Sequence, residues 1–184
     1  LSIGSHPTLF EHDPVNPSLY HAIRNQPSIS FNQGSWFGGV RLTQAGYNFE
    51  KNDMITHFGF KYSGITDLEF RNDSPSDSPL SYFSSFGLSF DAGKAIIRDN
   101  QRYGISISYV HFGVFTYESK GFGLNFGYTR DLFNKIKVGA VIQNVGKMSK
   151  LRTDEILLPQ RILVGCTKEF KFNQIKSMIK LFMN

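Results

Sequence analysis

The chain has 184 residues and a formal net charge of +5, yet only 19% of its residues are charged. Its Lys and Arg residues are scattered singly with no basic run, so the positive charge does not indicate a nucleic-acid partner. No apolar run reaches the roughly 18 residues that a membrane-spanning helix needs, which excludes a helical membrane protein. Aromatic residues make up 15% of the chain and Gly is frequent, a composition that favours strands over helices.

Residues 1–25 are predicted to form an irregular N-terminal segment, because prolines interrupt any regular element there. A short helical turn is expected within residues 18–23. His6, His12 and Asp13 lie close together in the sequence, but their spacing matches no established set of metal ligands. We therefore interpret this cluster as a solvated segment and predict no metal site.

Residues 26–184 are predicted to form a series of about eight strands, with a ninth near the C-terminus. Four segments alternate strictly between apolar and small polar residues, namely residues 82–91, 103–109, 122–129 and 135–143. This period of two places the two residue classes on opposite faces of a strand. The remaining predicted strands alternate less strictly and cover residues 28–33, 37–49, 54–63 and 161–170.

The predicted connections differ in length in a regular way. Residues 50–53 and 130–134 form short turns, whereas 64–80 and 146–160 form long loops. In an up-and-down sheet the two short turns fall at one end and the two long loops at the other. This sorting is typical of outer-membrane β-barrels, which have short periplasmic turns and long external loops. Loops of moderate length are expected at residues 91–101 and 112–120.

The second face of the predicted strands is mainly Gly, Ser and Asn, whereas soluble sheets usually carry charged residues there. Small polar residues suit the interior of a barrel, and Tyr103, Tyr109 and Tyr128 at strand ends suit an interfacial aromatic girdle. The sequence therefore predicts an all-β fold, an antiparallel transmembrane β-barrel. A soluble β-sandwich or adhesin-like module stays open as an alternative, and it would enclose Phe86, Phe122 and Phe126 between two sheets.

No residue pattern indicates catalysis or a cofactor. Gly121, Gly123 and Gly127 lack the spacing of a nucleotide-binding loop and alternate along a strand. Cys166 is the single cysteine, and its alternation with Ile162 and Val164 indicates a small apolar position rather than a nucleophile. We accordingly predict a protein that is not an enzyme and binds no cofactor.

Four segments, in order along the chain, resemble the PorV/PorQ-type outer-membrane proteins, which are relatives of the FadL fatty-acid transporter barrels. The segments are residues 12–19 (HDPVNPSL), the hairpin of residues 29–47, residues 117–127 (YESKGFGLNFG), and residues 141–146 (VIQNVG) with 157–165 (LLPQRILVG). Ser18 departs from the family pattern, in which Ala follows Asn-Pro. The family's barrels also have more strands than this chain supplies, so we expect a fragment that is incomplete at the C-terminus.

The resemblance implies a bacterial outer-membrane protein with a FadL-like barrel wall over residues 26–184. It implies association with type IX secretion or with cell-surface attachment of secreted proteins. The expected partners are the lipid bilayer and secretion-system proteins or secreted cargo, with no nucleic acid. Asn16 and Pro17 are carried over as a structural family motif that turns the N-terminal segment into the lumen. A FadL-like channel for hydrophobic compounds is the alternative that the resemblance leaves open.

Overall fold

The computed structural model describes residues 8–9, 15–22, 26–73, 77–151, 155–171 and 178–183. In these ranges it contains one antiparallel sheet of nine strands, and each strand pairs with its neighbour in the sequence. The prediction of an all-β, antiparallel fold is confirmed. The strands are β1 (Ser28–Trp36), β2 (Val40–Lys51), β3 (Met54–Phe70), β4 (Ser81–Arg98), β5 (Gln101–Val114), β6 (Tyr117–Leu132), β7 (Ile136–Met148), β8 (Arg161–Lys171) and β9 (Met178–Met183).

The predicted loop at residues 91–101 is wrong, because β4 continues to Arg98 and β5 begins at Gln101. The loop predicted at residues 112–120 is likewise reduced to Phe115 and Thr116. Both stretches lack the strict apolar alternation of the clearest predicted strands. Their backbone groups nevertheless pair in the ladder of the neighbouring strands, and this pairing overrides the local composition.

Residues in the left-handed region allow several of these turns to be tight. Asn52 and Asp53 connect β2 and β3 with φ angles of 54° and 59°, and Asp99 begins the two-residue turn after β4 with φ 53°. Positive φ at the central residues is what the favoured two-residue hairpins need, and Asn and Asp tolerate it better than most residues.

The two long loops lie at one end of the sheet and the two predicted short turns at the other, as predicted, although the short connections at residues 37–39 and 115–116 share the end of the long loops. Residues 71–80 and 149–160 connect strands at one end, while residues 52–53, 99–100 and 133–135 connect them at the other. The first long loop begins later than predicted because β3 continues to Phe70 across a bulge. We call the two ends the long-loop end and the short-turn end.

The sheet curves strongly around one of its faces. Ser30 of β1 and Gln143 of β7 line the same cavity of about 430 Å³. In a flat sheet, the six strand spacings between β1 and β7 would separate these residues by about 29 Å. We call the concave face the inward face and its opposite the outward face. In the ranges given above, β1 and β9 are the two edge strands and do not pair with each other.

The two faces have different chemistry in the middle of the sheet. Registered positions on the outward face carry large apolar residues, for example the row Phe60, Phe90, Tyr109 and Phe122 across β3 to β6. The prediction that Tyr109 lies at a strand end is wrong, because β5 continues to Val114. The adjacent inward row is Gly59, Asp91, Ser108 and Gly123. Among the residues described, no helix is long and apolar enough to cross a membrane.

Candidate functional site

The N-terminal segment, by which we mean residues 8–9 and 15–22, packs on the inward face near the short-turn end. Asn16 is fully buried and caps a short 3-10 turn at Pro17–Leu19. Its Oδ1 accepts hydrogen bonds from the Ser18 backbone N–H at 3.0 Å and from the Ser18 hydroxyl at 2.8 Å. Pro17 suits the first position of this turn, because its fixed φ is compatible with the turn and its missing N–H is not needed there.

The amide nitrogen of Asn16 ties the segment to the sheet. Nδ2 lies 3.0 Å from the carbonyl oxygen of Thr8, 3.3 Å from that of Ala140 and 3.4 Å from that of Tyr128. Tyr128 and Ala140 are opposite each other in β6 and β7. One side chain therefore joins two parts of the N-terminal segment to two neighbouring strands.

Glycines on the inward face make this close approach possible. A Cβ atom at Gly104 would overlap the backbone of Pro17 and Ser18, and one at Gly127 would overlap Asn16 Oδ1. At Gly139 it would lie 2.8 Å from Leu9 Cδ2. Three successive strands thus present a surface without side chains at the points where the segment docks.

Tyr20 anchors the other end of the segment. Its ring stacks on His57 of β3, with centroids 4.1 Å apart and an interplanar angle of 17°. Its carbonyl oxygen accepts a hydrogen bond from Arg102 Nη2 at 2.7 Å. A Cβ atom at Gly93 would lie 2.7 Å from the ring, so this glycine makes room for the tyrosine.

The cavity of about 430 Å³ is bounded on one side by Val15, Tyr20 and His21 of the N-terminal segment. We call it the polar cavity, since most of its wall consists of hydroxyl, amide and charged side chains. The sheet residues of this kind that line it are Ser30, Gln44, Asn48, His57, Lys61, Ser89, Asp91, Ser106, Ser108, Asn125, Gln143 and Asn144.

A hydrogen-bond network centred on Asn125 and Asp91 orders the wall of the polar cavity. Asn125 Nδ2 donates to the hydroxyls of Ser106 and Ser108 at 3.0 and 3.1 Å. The Ser108 hydroxyl donates to Asp91 Oδ1, and the Ser89 hydroxyl lies 3.4 Å from Asp91 Oδ2. Two neutral hydroxyls, one from its own strand and one from β5, thus donate to the carboxylate.

The network also explains an irregularity in β7. Asn125 Oδ1 accepts a hydrogen bond from the Asn144 backbone N–H at 2.9 Å, at the bulge between β6 and β7. Asn144 has φ 58°, and its own amide donates to the carbonyl oxygen of Pro159 at 2.9 Å. The bulge thus exchanges a ladder bond for a side-chain bond and also ties the loop after β7 to the sheet.

The polar cavity can hydrogen-bond water or a hydrophilic group. Its described lining includes one carboxylate, Asp91, and one ammonium group, Lys61, so these two charges balance. In the described part of the chain, no three His, Cys, Asp or Glu residues are close enough together to hold a metal ion.

The structure places the two predicted motif residues, Asn16 and Pro17, together at the docking point of the N-terminal segment. Their role as a family motif stays a prediction. His6, His12 and Asp13 lie outside the described residues. Sequence reasoning missed His57 and Asn125 as members of an inward cluster. The signal was available, because both lie on the small polar face of predicted strands, where larger polar residues stand out among Gly and Ser.

Comparison with protein-family models, with curated proteins and with solved structures found no match for this chain.

Proposed function

We propose that the chain forms the wall of a bacterial outer-membrane β-barrel of the PorV/PorQ type, which acts without catalysis in type IX secretion or in surface attachment of secreted proteins. The observation that carries the membrane part is the outward face. Large apolar side chains stay open to the surroundings there, with exposed fractions of 59% for Phe122, 47% for Ile107 and 65% for Val164.

An exposed apolar surface that extends over neighbouring strands is unfavourable in water and indicates a lipid or protein environment. Strands of 11 to 18 residues from β2 to β8 are long enough for the 9–11 residues that a tilted strand needs to cross the hydrocarbon core. A β-sandwich would instead cover Phe122 and Phe126 with a second sheet, and the described residues form one sheet only.

The secretion role rests on the resemblance of the four sequence segments. The inward face supports this choice over a FadL-like channel for hydrophobic compounds. An apolar solute moving along the polar cavity would displace hydrogen-bonded water from Asp91, Lys61 and Asn125 without replacing those bonds, which is costly. The docked N-terminal segment also occupies the inward face close to the short-turn end.

Site-specific fluorescence can test the membrane part. In a Cys166→Ser background, single cysteines replace Ile107 on the outward face or Ser89 on the inward face and carry an environment-sensitive dye. After reconstitution in vesicles, we expect lipid-attached nitroxides to quench the dye at 107 several times more strongly than at 89. Equal quenching by the lipid quencher at both positions, or quenching of both by aqueous iodide alone, contradicts a lipid-facing outward surface.

Cell fractionation and gene deletion test localisation and role separately. We expect the protein in the outer-membrane fraction, and its recovery in a soluble fraction would contradict the proposal. Deletion should lower the amount of secreted proteins that surface biotinylation detects on cells. Unchanged surface attachment, together with outer-membrane localisation, would remove the secretion role and leave the barrel.

A further inference from the structure

The outward face contains a groove of about 390 Å³ at the centre of β3 to β6. It lies along the registered row Phe58, Ala92, Ile107 and Leu124, one residue from each strand. Ala92 is the small member of this row, and its single methyl group leaves a notch between Phe58 and Ile107. A notch with apolar walls on an apolar face fits a hydrocarbon chain.

A positively charged side chain lies next to this notch. Lys94 lines the groove and occupies the next row toward the short-turn end, opposite Thr56 and Ile105. It is exposed, and within the described ranges it has no ion pair. An unpaired ammonium group on a lipid-facing strand is unfavourable near the bilayer centre and tolerated only close to the interface.

Two tyrosines mark the level of that interface. Tyr103 and Tyr128 face each other one row beyond Lys94, and both hydroxyls lie within hydrogen-bond distance of Gln101 Oε1, at 2.6 and 3.2 Å. Two residues along a strand correspond to about 7 Å, which the flexible side chain of a lysine can span. The order along the face is therefore apolar notch, ammonium group and tyrosine pair.

From this order we propose that the groove binds one anionic phospholipid, with an acyl chain in the notch at Ala92 and the phosphate on Lys94. The inference rests on the proposed membrane function. Because short turns are periplasmic in such barrels, the ligand belongs to the inner leaflet, where the lipids are phospholipids. Charge complementarity with Lys94 selects an anionic headgroup over a zwitterionic one.

The test uses spin-labelled phosphatidylglycerol and phosphatidylcholine with the full chain in vesicles, and it measures the relative association constant of the two lipids. Wild type should prefer phosphatidylglycerol, and Lys94→Gln should lower that preference by about fivefold. Ala92→Leu should fill the notch and reduce the immobilised lipid component. Lys51→Gln, which removes an outward-face charge at the same end, should leave the preference unchanged.

The outcomes distinguish failure of the phospholipid site from failure of the proposed membrane function. Absence of any immobilised lipid component around the folded wild type would contradict the membrane function itself. If an immobilised component is present but its preference for phosphatidylglycerol is the same in wild type and Lys94→Gln, only the phospholipid site is overturned. An equal loss of that preference in Lys51→Gln would overturn it as well. No effect of Ala92→Leu would remove the notch from the site. Stronger association of lipid A than of phosphatidylglycerol would overturn the assignment to an inner-leaflet phospholipid.

Discussion

Replacing Asn16 with Asp changes one nitrogen to oxygen and leaves the size of the side chain the same. The amide Nδ2 of Asn16 faces three carbonyl oxygens, those of Thr8, Tyr128 and Ala140, at 3.0 to 3.4 Å. A carboxylate oxygen at that place donates nothing and is repelled by all three. Loss of the best bond costs about 1 kcal/mol, and a buried charge without its donor adds several more, so we expect at least about 3 kcal/mol.

Hydrogen exchange with mass spectrometry measures this loss directly, because the Leu19 backbone N–H donates to the Asn16 carbonyl oxygen at 2.9 Å inside the docked segment. A change of 3 kcal/mol should accelerate exchange of the peptide covering residues 15–22 by about 150-fold, while β5 peptides keep their rates. Acid should reverse part of the effect, since a protonated carboxyl regains one donor.

Asn32→Asp provides the matched control, because it adds the same charge at an exposed position on the inward side of β1. It should leave exchange of the N-terminal segment unchanged. If Asn16→Asp exchanges within threefold of wild type, the amide is not what holds the segment, and the reasoning from its three acceptors is refuted.

Two further substitutions test the backbone. Gly104→Ala should displace the N-terminal segment at a cost of about 1–3 kcal/mol and raise the hydrogen exchange of that segment. Gly34→Ala should not, because no atom lies within 4 Å of the new methyl group. Equal exchange in both variants would contradict the docking. Lys135→Gly should raise the urea midpoint of unfolding measured by circular dichroism, because φ 58° costs a residue with a side chain about 1 kcal/mol. Lys147→Gly within β7 should lower that midpoint. A lower midpoint for both variants would show that no strain is relieved at Lys135.

Alternation of residue classes predicted the faces of the sheet well, because side chains of a strand must point to opposite sides. Phe122 and Phe126 lie on the outward face and Gly123 and Asn125 on the inward face, as the pattern required. Strand ends were predicted less well. Lys94 breaks the apolar pattern of β4, and only the pairing with Ile105 shows that the strand continues there.

Of the candidate site, only the capped turn at Asn16 could be predicted from the sequence. Asn-Pro-Ser has the residues of a capped turn, so the local structure at Asn16 follows from sequence. Its acceptors on Tyr128 and Ala140 are backbone carbonyls, which any residue carries, and no side-chain pattern can identify them. The stacking of Tyr20 on His57 likewise depends on the curvature of the sheet, which emerges from all strands together.

The docking of the N-terminal segment has a consequence for the order of folding. Every strand pair joins neighbours in the sequence, most of them through short connections, and can form as soon as both strands exist. The receptor for Asn16, by contrast, lies 112 and 124 residues later in the chain, on the hairpin of β6 and β7. The N-terminal segment is synthesised before β6 and β7, and it therefore has no binding site until that hairpin is complete. Protection of the amides of this segment from hydrogen exchange therefore reports when the middle of the sheet has been assembled.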